Sequence, residues 1–401
     1  MKIGITGPIS TESVSKHLDG DVSSLPKGMD GAPLLGTIIS VLIERGHEVS
    51  AYTLDESLPP SLSQPIVEHG NGFKIYYGFH RRHSFRPNDG RCGRMVDFFK
   101  TEREAIEKAI QIDKPDVVHA HWTYEFALAA IASGVPCVVT CHDSPIQVLR
   151  FMPNLYRLGR YFMARQVLRN AKVISAVSPY LQNEVARYAK VPVIVVPNPA
   201  PPILLNRIFS SALRVIDLSR PSIAMVQSGW DKRKNPAPAL KAFAKLRQTI
   251  PGATLHLFGG DFGPGEKAQV WAKARKIEAG MIFHGLMPHE QLLSELGAMH
   301  LLLHPALEES CPMSLVEAMA LGLPVVGGHK SGGVPWVLDY GKAGILTDVR
   351  SAESICQSLL EILGNKEMYE RVMHAGLERV RNVFSADAII SQYEELYRSV
   401  L

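Results

Sequence analysis

Short apolar runs alternate with longer helical stretches along nearly the whole chain, and this alternation restricts the fold more than any other feature. Runs such as KIGIT at 2–6 and DVVHA at 116–120 have the length and composition of buried strands. Helical segments, for example 97–112 and 155–170, separate most of these runs. Because adjacent parallel strands need a long crossover, usually a helix, the pattern predicts parallel sheets covered by helices on both faces.

The proline-dense stretch PNPAPP at 197–202 interrupts the alternation. Proline fits poorly inside a strand or helix, so we predict a linker here. The alternation then resumes, with predicted strands from SIAMVQ at 222–227 to GILT at 344–347. A chain of 401 residues also exceeds what one hydrophobic core usually holds. We therefore predict an α/β fold of two doubly wound, Rossmann-like domains facing across a cleft. Its parts are residues 1–200, residues 201–383, and a helix at 384–401 that packs back on the first domain.

Composition and charge exclude several classes of protein. Apolar residues make up 46% of the chain and charged residues 20%, which is typical of a globular protein in water. A net charge of +4 is too small to indicate a nucleic-acid partner. No apolar run approaches the roughly 18 residues that would span a membrane. The five cysteines are an odd number in a long chain, which favours a reducing compartment over a disulfide framework. We expect a cytoplasmic protein.

The segment EESCPMSLVEAMALGLPVV at 308–326 has two interpretations. Ser314 followed by Glu317 forms a capping box, and Gly322 ends the helix, which explains Glu317 without any ligand. Capping does not explain Glu309, which follows the predicted strand LLLH at the edge where open α/β sheets bind ligands. A helix that begins near Leu315 would also point free N–H groups to that edge, where they suit an anion. The segment is either a capped helix alone or half of an active site.

The same segment resembles the E-x7-E signature of retaining family 4 glycosyltransferases with the GT-B fold. The resemblance continues along the chain, in the family's order, through ERGHEV, DVVHAHW, VVTCHD, VPNP, QSGWDKRKN, FHGLMPHEQL and SGGVPWVLDYGKAGIL. It implies a metal-independent enzyme that moves a hexose from a nucleotide-diphosphate sugar, with retention of configuration, to a glycan or lipid-linked acceptor. It implies no cofactor besides the donor substrate, and no nucleic acid. Asp19–Gly20–Asp21 is interpreted as a turn and not as a metal site.

The resemblance assigns the residues of the donor side. The first glutamate of the signature binds hydroxyls of the transferred sugar in the family, and the second binds the nucleotide ribose. These roles fall on Glu309 and Glu317, with helix capping as the alternative for Glu317. Lys234 fits the family's lysine at the leaving diphosphate, with a solvated basic turn as the alternative. The other implied donor-binding residues are Arg233, Lys232, Gly229, Leu286, Met313, Ser314, Leu315, Gly28 and Gly31.

On the acceptor side, the resemblance places His121 at the reacting groups, so the implied catalytic residues are His121, Glu309 and Lys234. His142 or Asp143 lines the acceptor pocket, with turn capping as the alternative for Asp143. Two positions depart from the family pattern. Trp230 stands where an arginine is common, and Trp336 stands where a glutamate often follows the glycine pair.

Other functions stay open at this stage. A nucleotide-sugar epimerase or a phosphorylase of the same fold would use the same donor residues. A nucleotide-sugar-binding protein without catalysis would explain the two tryptophans. Residues 150–172 add a question about partners, because they carry five arginines among aromatic and methionine side chains. This segment either lies on an anionic membrane surface or is a surface helix whose apolar side packs on its own sheet.

Overall fold

The structure, a computed structural model, describes residues 1–88, 90–201, 204 and 218–401. The last residue of the predicted linker, Pro202, lies outside the described residues. The chain divides into two compact units. The first contains Met1–Pro199 together with Ala386–Leu401, and the second contains Ala200–Ser385. Each unit has its own mainly parallel sheet, so the predicted pair of Rossmann-like α/β domains is confirmed.

The described part of the first unit contains an eight-stranded sheet. Its strands are β1 Lys2–Thr6, β2 Glu48–Asp55, β3 Ile66–Gly70, β4 Phe73–Phe79, β5 Val117–His121, β6 Cys137–Cys141, β7 Val173–Ala176 and β8 Val193–Val195. They are arranged in the order β3-β4-β2-β1-β5-β6-β7-β8, and only β3 runs antiparallel to its neighbour. The sequence pattern missed β3, because this edge strand is mostly half-exposed and its sequence, IVEHG, is not an apolar run.

Helices connect these strands. They are α1 Thr11–Val14, α2 Pro33–Glu44, α3 Lys100–Asp113, α4 Glu125–Ala132, α5 Pro145–Phe151, α6 Leu155–Asn170 and α7 Pro179–Ala186. Several begin where a side chain can accept a bond from the first turn. Ser144 caps α5, Asn154 caps α6 and Ser178 caps α7, each by accepting from the backbone N–H three residues ahead. The predicted helix at 155–170 is therefore confirmed to the residue.

The sheet of the second unit has six strands among the described residues, and all neighbouring pairs are parallel. They are β9 Ser222–Val226, β10 Thr254–Phe258, β11 Met281–Gly285, β12 Leu301–His304, β13 Val325–Gly328 and β14 Ile345–Thr347. Their order is β11-β10-β9-β12-β13-β14. The helices are α8 Pro236–Thr249, α9 Lys267–Lys273, α10 His289–Leu296, α11 Met313–Ala320, α12 Val334–Val337, α13 Ala352–Gly364 and α14 Lys366–Val383. Central strands such as β12 are buried along their whole length, as expected when helices cover both faces.

The C-terminal helix α15, Ala386–Val400, belongs to the first unit. Its apolar side, which includes Ile389, Tyr393 and Tyr397, is buried in the same core as β1. At its polar side Arg45 forms ion pairs with Asp387 and Glu394. The helix therefore completes the core of a unit whose other residues lie more than 180 positions earlier in the chain.

Candidate active site

The donor-side candidates of the second unit meet at the carboxyl ends of β9 and β12. These strands are neighbours in the sheet, so the loops that follow them share one edge. Lys234, in the loop after β9, places its Nζ 2.6 Å from Oε1 of Glu309, in the loop after β12. Arg233 lies beside them, with Nη1 3.6 Å from Oε2 of Glu309. The fold thus brings Glu309 next to Arg233 and Lys234, although Lys234 and Glu309 are 75 positions apart in sequence.

Charges around Glu309 keep its carboxylate ionised. Burial by itself would raise the pKa of this carboxyl group, because the side chain is only 14% exposed. Lys234, His304 and Arg233 outweigh the burial and lower the pKa below its ordinary value. Glu309 is therefore a fixed anion that accepts hydrogen bonds, which suits the recognition of sugar hydroxyls.

His304 is a part of this site that sequence reasoning missed. It is the last residue of β12 and is buried, and burial lowers its pKa to about 4. Its Nε2 is buried and has no hydrogen-bond partner among the described residues. A polar residue at the carboxyl end of a central strand was the signal that could have identified it.

The loop after β9 has the backbone that a tight phosphate loop needs. Gly229 has a φ of +101°, which favours glycine, and its N–H donates to the carbonyl of Gly260. Asn235 ends the loop, and its amide donates to the carbonyls of Pro305 and Val349. Lys232 is exposed to solvent between these anchors. The loop therefore directs Lys234 and Arg233 towards Glu309 and leaves Lys232 outside this cluster.

Trp230, the first departure from the family pattern, packs away from these charges. Its ring lies 5.3 Å from that of Trp271 and 6.1 Å from that of Phe262. It is partly buried against the core of the second unit. Its backbone N–H donates to Asp261. This tryptophan therefore has a packing role.

The predicted capping box is wrong. Helix α11 begins at Met313, Pro312 occupies the cap position, and no side chain caps the helix. Ser314 is already the second helical residue, because Pro312 takes the extended backbone that a cap requires. Met313, Ser314 and Leu315 thus form the first turn. The N–H of Leu315 donates to the carbonyl of Pro312, so the backbone N–H groups of Met313 and Ser314 are the ones that suit an anion.

Glu317 is bound instead by a histidine from another helix. His289, the first residue of α10, has its Nε2 2.8 Å from Oε1 of Glu317. This hydrogen bond raises the pKa of His289, against the opposing effect of burial. Leu286, in the same loop before α10, is 80% exposed. The sequence motif FHGLMPHEQL included His289, but only the fold shows that it reaches Glu317.

The loop before α12 holds the backbone of Glu309. The N–H of Gly333 donates to the carbonyl of Glu309 over 2.7 Å, and Gly332 has a φ of +64°. Trp336, the second departure, lies with its ring 5.7 Å from that of Phe384 and 5.2 Å from the guanidinium of Arg379. Arg379 also donates to the carbonyl of Trp336. Trp336 therefore anchors this loop to the rest of the second unit.

Two of the acceptor-side candidates of the first unit, buried His121 and partly buried His142, form a histidine pair. His121, the last residue of β5, places Nδ1 2.9 Å from Nε2 of His142, just after β6. Burial first, and then the neighbouring histidines, lower the pKa of His121 well below its ordinary value. Burial lowers the pKa of His142 to about 3. Both rings are therefore neutral, and Nε2 of His121 has no partner in the part of the chain that the structure describes.

His119 lies in the core of the first unit. It is fully buried, and its ring centroid is 4.0 Å from that of His121. Its Nδ1 lies 2.8 Å from the hydroxyl of Tyr397 on α15, and its Nε2 lies 2.6 Å from Oγ1 of Thr140. His119 thus connects the ring of His121 with Tyr397, a residue of the C-terminal helix.

The remaining first-unit candidates have partners within their own unit. Asp143 accepts a hydrogen bond from the hydroxyl of Tyr124 over 2.9 Å. Gly28 has a φ of +71°, and its N–H donates to Oδ2 of Asp55 over 2.8 Å. A Cβ at Gly28 would lie 2.4 Å from the carbonyl oxygen of Ile9, whereas one at Gly31 would meet nothing within 4 Å. The structure therefore gives Gly28 a role in closing its own loop.

The described residues include no group of three or more histidine, cysteine, aspartate or glutamate side chains arranged to hold a metal ion. Within the same part of the chain, no helix has the length and hydropathy needed to cross a membrane.

Two family models match this chain. Residues 35–202 match the model of Glycosyltransferase Family 4, and residues 216–379 match the model described as Glycosyl transferases group 1. The chain belongs to the family 4 glycosyltransferases. Its two structural units therefore correspond to the two halves of a glycosyltransferase of the GT-B fold.

Relatives of this glycosyltransferase are similar along its whole length. N-acetyl-alpha-D-glucosaminyl L-malate synthase from Bacillus anthracis is 26% identical over 390 residues, which are 92% of this chain and 94% of that protein. Sucrose-phosphate synthase from Thermosynechococcus elongatus superposes with a TM-score of 0.74 at 17% identity, covering 100% of this chain and 98% of the other. The Anabaena protein HepE, solved with UDP-glucose, gives a TM-score of 0.66 at 15% identity over 100% of both chains. These structures share the fold.

Proposed function

We propose that this glycosyltransferase moves a hexose from a nucleotide-diphosphate sugar to an acceptor hydroxyl with retention of the anomeric configuration. The observation that carries the proposal is the cluster of Glu309, Lys234 and Arg233 at one sheet edge. It combines a fixed anion, which accepts bonds from sugar hydroxyls, with two cations that attract phosphate. A nucleotide sugar presents both kinds of group within a few ångströms.

The donor side would work through charge neutralisation. As the bond between the sugar C1 and the phosphate oxygen breaks, negative charge grows on the leaving diphosphate. Lys234 and Arg233 are in place to stabilise it, and the first turn of α11 would add N–H groups. Because two side-chain cations can serve this role, we propose that the reaction needs no metal. Glu317 would bind the ribose in addition to His289.

The acceptor oxygen would attack C1 from the side that the diphosphate leaves. The new bond joins the acceptor oxygen to C1, and the acceptor proton passes to an oxygen of the leaving phosphate. This route requires no protein base, which is consistent with the lowered pKa values of His121 and His142, because they make both imidazoles weak bases. The unpartnered Nε2 of His121 would then orient a hydroxyl near the reacting carbon.

The acceptor and the location are also proposals. We propose a glycan or lipid-linked glycan as the acceptor. L-malate has to be tested beside it, because the Bacillus anthracis relative is named for that acid. We place the enzyme in the cytoplasm, at the inner face of the membrane, and the free thiols of Cys92, Cys137, Cys141 and Cys356 are consistent with a reducing compartment.

The decisive test is the isosteric variant Glu309→Gln in the full chain. We expect kcat for sugar transfer to fall by about 10²–10³-fold, as when one preorganised polar contact to the transition state is removed. The exposed Glu290→Gln, on α10, is the control and should keep wild-type turnover. Unchanged turnover in Glu309→Gln would contradict the assignment, and inversion at C1, read by NMR of the product, would contradict retention.

The same assay separates the rival functions. An epimerase would convert the nucleotide sugar without an acceptor, and a phosphorylase would need free phosphate. A protein that only binds would show a donor-induced rise in melting temperature without turnover.

A further inference from the structure

Helix α6 has two apolar sides, and only one of them is used for packing. Met163, Ala164, Val167 and Leu168 are buried inside the first unit. On the opposite side, Leu155, Leu158 and Phe162 remain 73%, 39% and 52% exposed. Their spacing of three and four residues aligns them in one stripe along the helix. Packing on the helix's own unit therefore leaves this second stripe unexplained.

Positive charge accompanies the exposed stripe. Between Asp143 and Glu184 the sequence contains no acidic residue, although it contains five arginines and Lys172. Arg160 is used internally in an ion pair with Glu125. The other basic residues of this segment are not all used in buried ion pairs. Beside Phe162, the side chains of Arg165, Arg169 and Lys190 line an open depression of about 720 Å³, together with Gln166 and Asn170.

We propose that this face, formed by Leu155, Leu158, Phe162, Arg165, Arg169 and Lys190, docks the first unit onto a bilayer that contains anionic lipid. The apolar stripe would enter the boundary between headgroups and acyl chains, and the three cations would bind lipid phosphates. Charge complementarity selects this occupant, because a stripe of leucine and phenylalanine beside unopposed cations matches an anionic surface with an apolar layer beneath it.

The docking face does not depend on the transfer reaction. It lies on α6 and at Lys190 of the first unit and contains none of the candidate active-site residues. It would hold the enzyme at the surface where a lipid-linked acceptor is found. The test below can therefore fail while the proposed reaction stands, and the reverse is also true.

The test is co-sedimentation of the full-length protein with vesicles of phosphatidylcholine alone or mixed with phosphatidylglycerol. We expect binding only to the mixed vesicles, with weakening in high salt. Arg169→Glu combined with Lys190→Glu should lower this binding on the order of tenfold or more, since each basic residue near an anionic surface contributes separately. Leu158→Ser combined with Phe162→Ser should also weaken it, and this loss should persist in low salt.

A matched pair on α9 of the second unit serves as the control. Val270 is 58% exposed and Lys273 is exposed, so Val270→Ser combined with Lys273→Glu makes a similar change elsewhere. This control should bind vesicles like the wild type. All variants should keep the wild-type circular dichroism and the same thermal shift with a nucleoside diphosphate, which excludes misfolding.

Three results would overturn the proposal. The first is vesicle binding by the wild type that does not depend on phosphatidylglycerol, or vesicle binding that the variants of the docking face leave unchanged. The second is saturable binding of inorganic phosphate at this face without any binding to vesicles, which would make it a site for a free anion. The third is a concentration-dependent dimer that the α6 variants abolish, which would show that the face contacts a second copy of the chain.

Discussion

The ionised state of Glu309 is the residue-scale feature on which the donor site depends. Its carboxylate is nearly buried, and such a group normally takes up a proton. Lys234 lies 2.6 Å away and supplies the largest compensating charge. The pKa of Glu309 is therefore lowered and not raised. Burying a carboxylate costs free energy, so the ionised state of Glu309 indicates that its charge serves to bind a ligand.

Removing Lys234 should move the acid limit of activity. In Lys234→Met we expect the pKa of Glu309 to rise, so kcat/KM should begin to fall at a higher pH than in the wild type. Since the folded pKa lies below the unfolded value of about 4.3, ionised Glu309 also stabilises the fold above that pH, and this stabilisation is lost as the pH falls through the folded pKa. The measurement is a pH profile of kcat/KM. The exposed Lys232→Met should leave the acid limb in place, and an unshifted limb in Lys234→Met would disprove the coupling.

The His289–Glu317 pair gives a dependence of the opposite sign. The pKa of His289 is raised, so the stabilisation from this pair is complete below the unfolded value of about 6.5 and is lost as the pH rises through the folded pKa. The melting temperature of His289→Gln should therefore lie further below that of the wild type at pH 6 than at pH 8. The difference should correspond to no more than about 1 kcal/mol, because the imidazole is partly exposed. An equal difference at both pH values would exclude the ion pair.

Two elements, α11 and α15, place the candidate side chains. Helix α11 begins at Met313, shortly after Glu309, so its first N–H groups and this carboxylate lie at the same edge of the sheet. Helix α15 completes the first unit and reaches His119 through the hydroxyl of Tyr397. The ring of His119 in turn packs on His121. A helix at the end of the chain thus sets the position of a histidine on β5.

Removal of one hydroxyl tests this role of α15. In Tyr397→Phe the Nδ1 of buried His119 loses its partner, which should cost about 1–3 kcal/mol of unfolding free energy in denaturant titrations. If Tyr397 also positions His121, kcat should fall while KM for the donor stays constant. Tyr340→Phe, at a side chain that is 67% exposed, is the control and should change neither quantity. A loss of stability without any change in kcat would restrict Tyr397 to a structural role.

At the scale of the whole molecule, the two units have separate cores and should respond separately to ligand. The donor-side cluster lies entirely in Ala200–Ser385, whereas α15 belongs to the first unit. A nucleoside diphosphate at about 100 times its Kd should stabilise the unit that binds it by about 2.7 kcal/mol. We expect calorimetry to show one of two unfolding transitions rising with ligand. Deletion of 386–401 should weaken the other transition and leave the ligand-dependent one, and loss of both transitions would contradict this division.

Much of this architecture was accessible from local patterns. The predicted strands KIGIT and LLLH coincide with β1 and β12, and the predicted helix 155–170 coincides with α6. Such agreement is expected where a segment is buried on both faces, since its apolar run alone identifies it. The edge strand β3 was missed because one side of it meets solvent and its composition is mixed.

The candidate site was only partly accessible from the sequence. Glu309 could be singled out because it lies in the loop after a buried strand, at the edge where open α/β sheets bind ligands, and the family resemblance added Lys234. The capping box failed because Pro312, and not Ser314, occupies the cap position of α11. The pattern Ser314–Glu317 also contains no information about His289, which reaches Glu317 from another helix. His304 was overlooked because a histidine at the end of an apolar run resembles a core residue until its neighbours are known.

The sequence by itself determined the α/β class, the two-part organisation and the family, because periodicity, linker composition and motif order are properties of neighbouring residues. Only the tertiary structure decided which charges meet. Lys234 and Glu309 are 75 residues apart, and His119 and Tyr397 are 278 residues apart. The protonation states of Glu309 and His121 follow from their tertiary contacts, since burial and the electric field of adjacent groups exist only after the chain has folded.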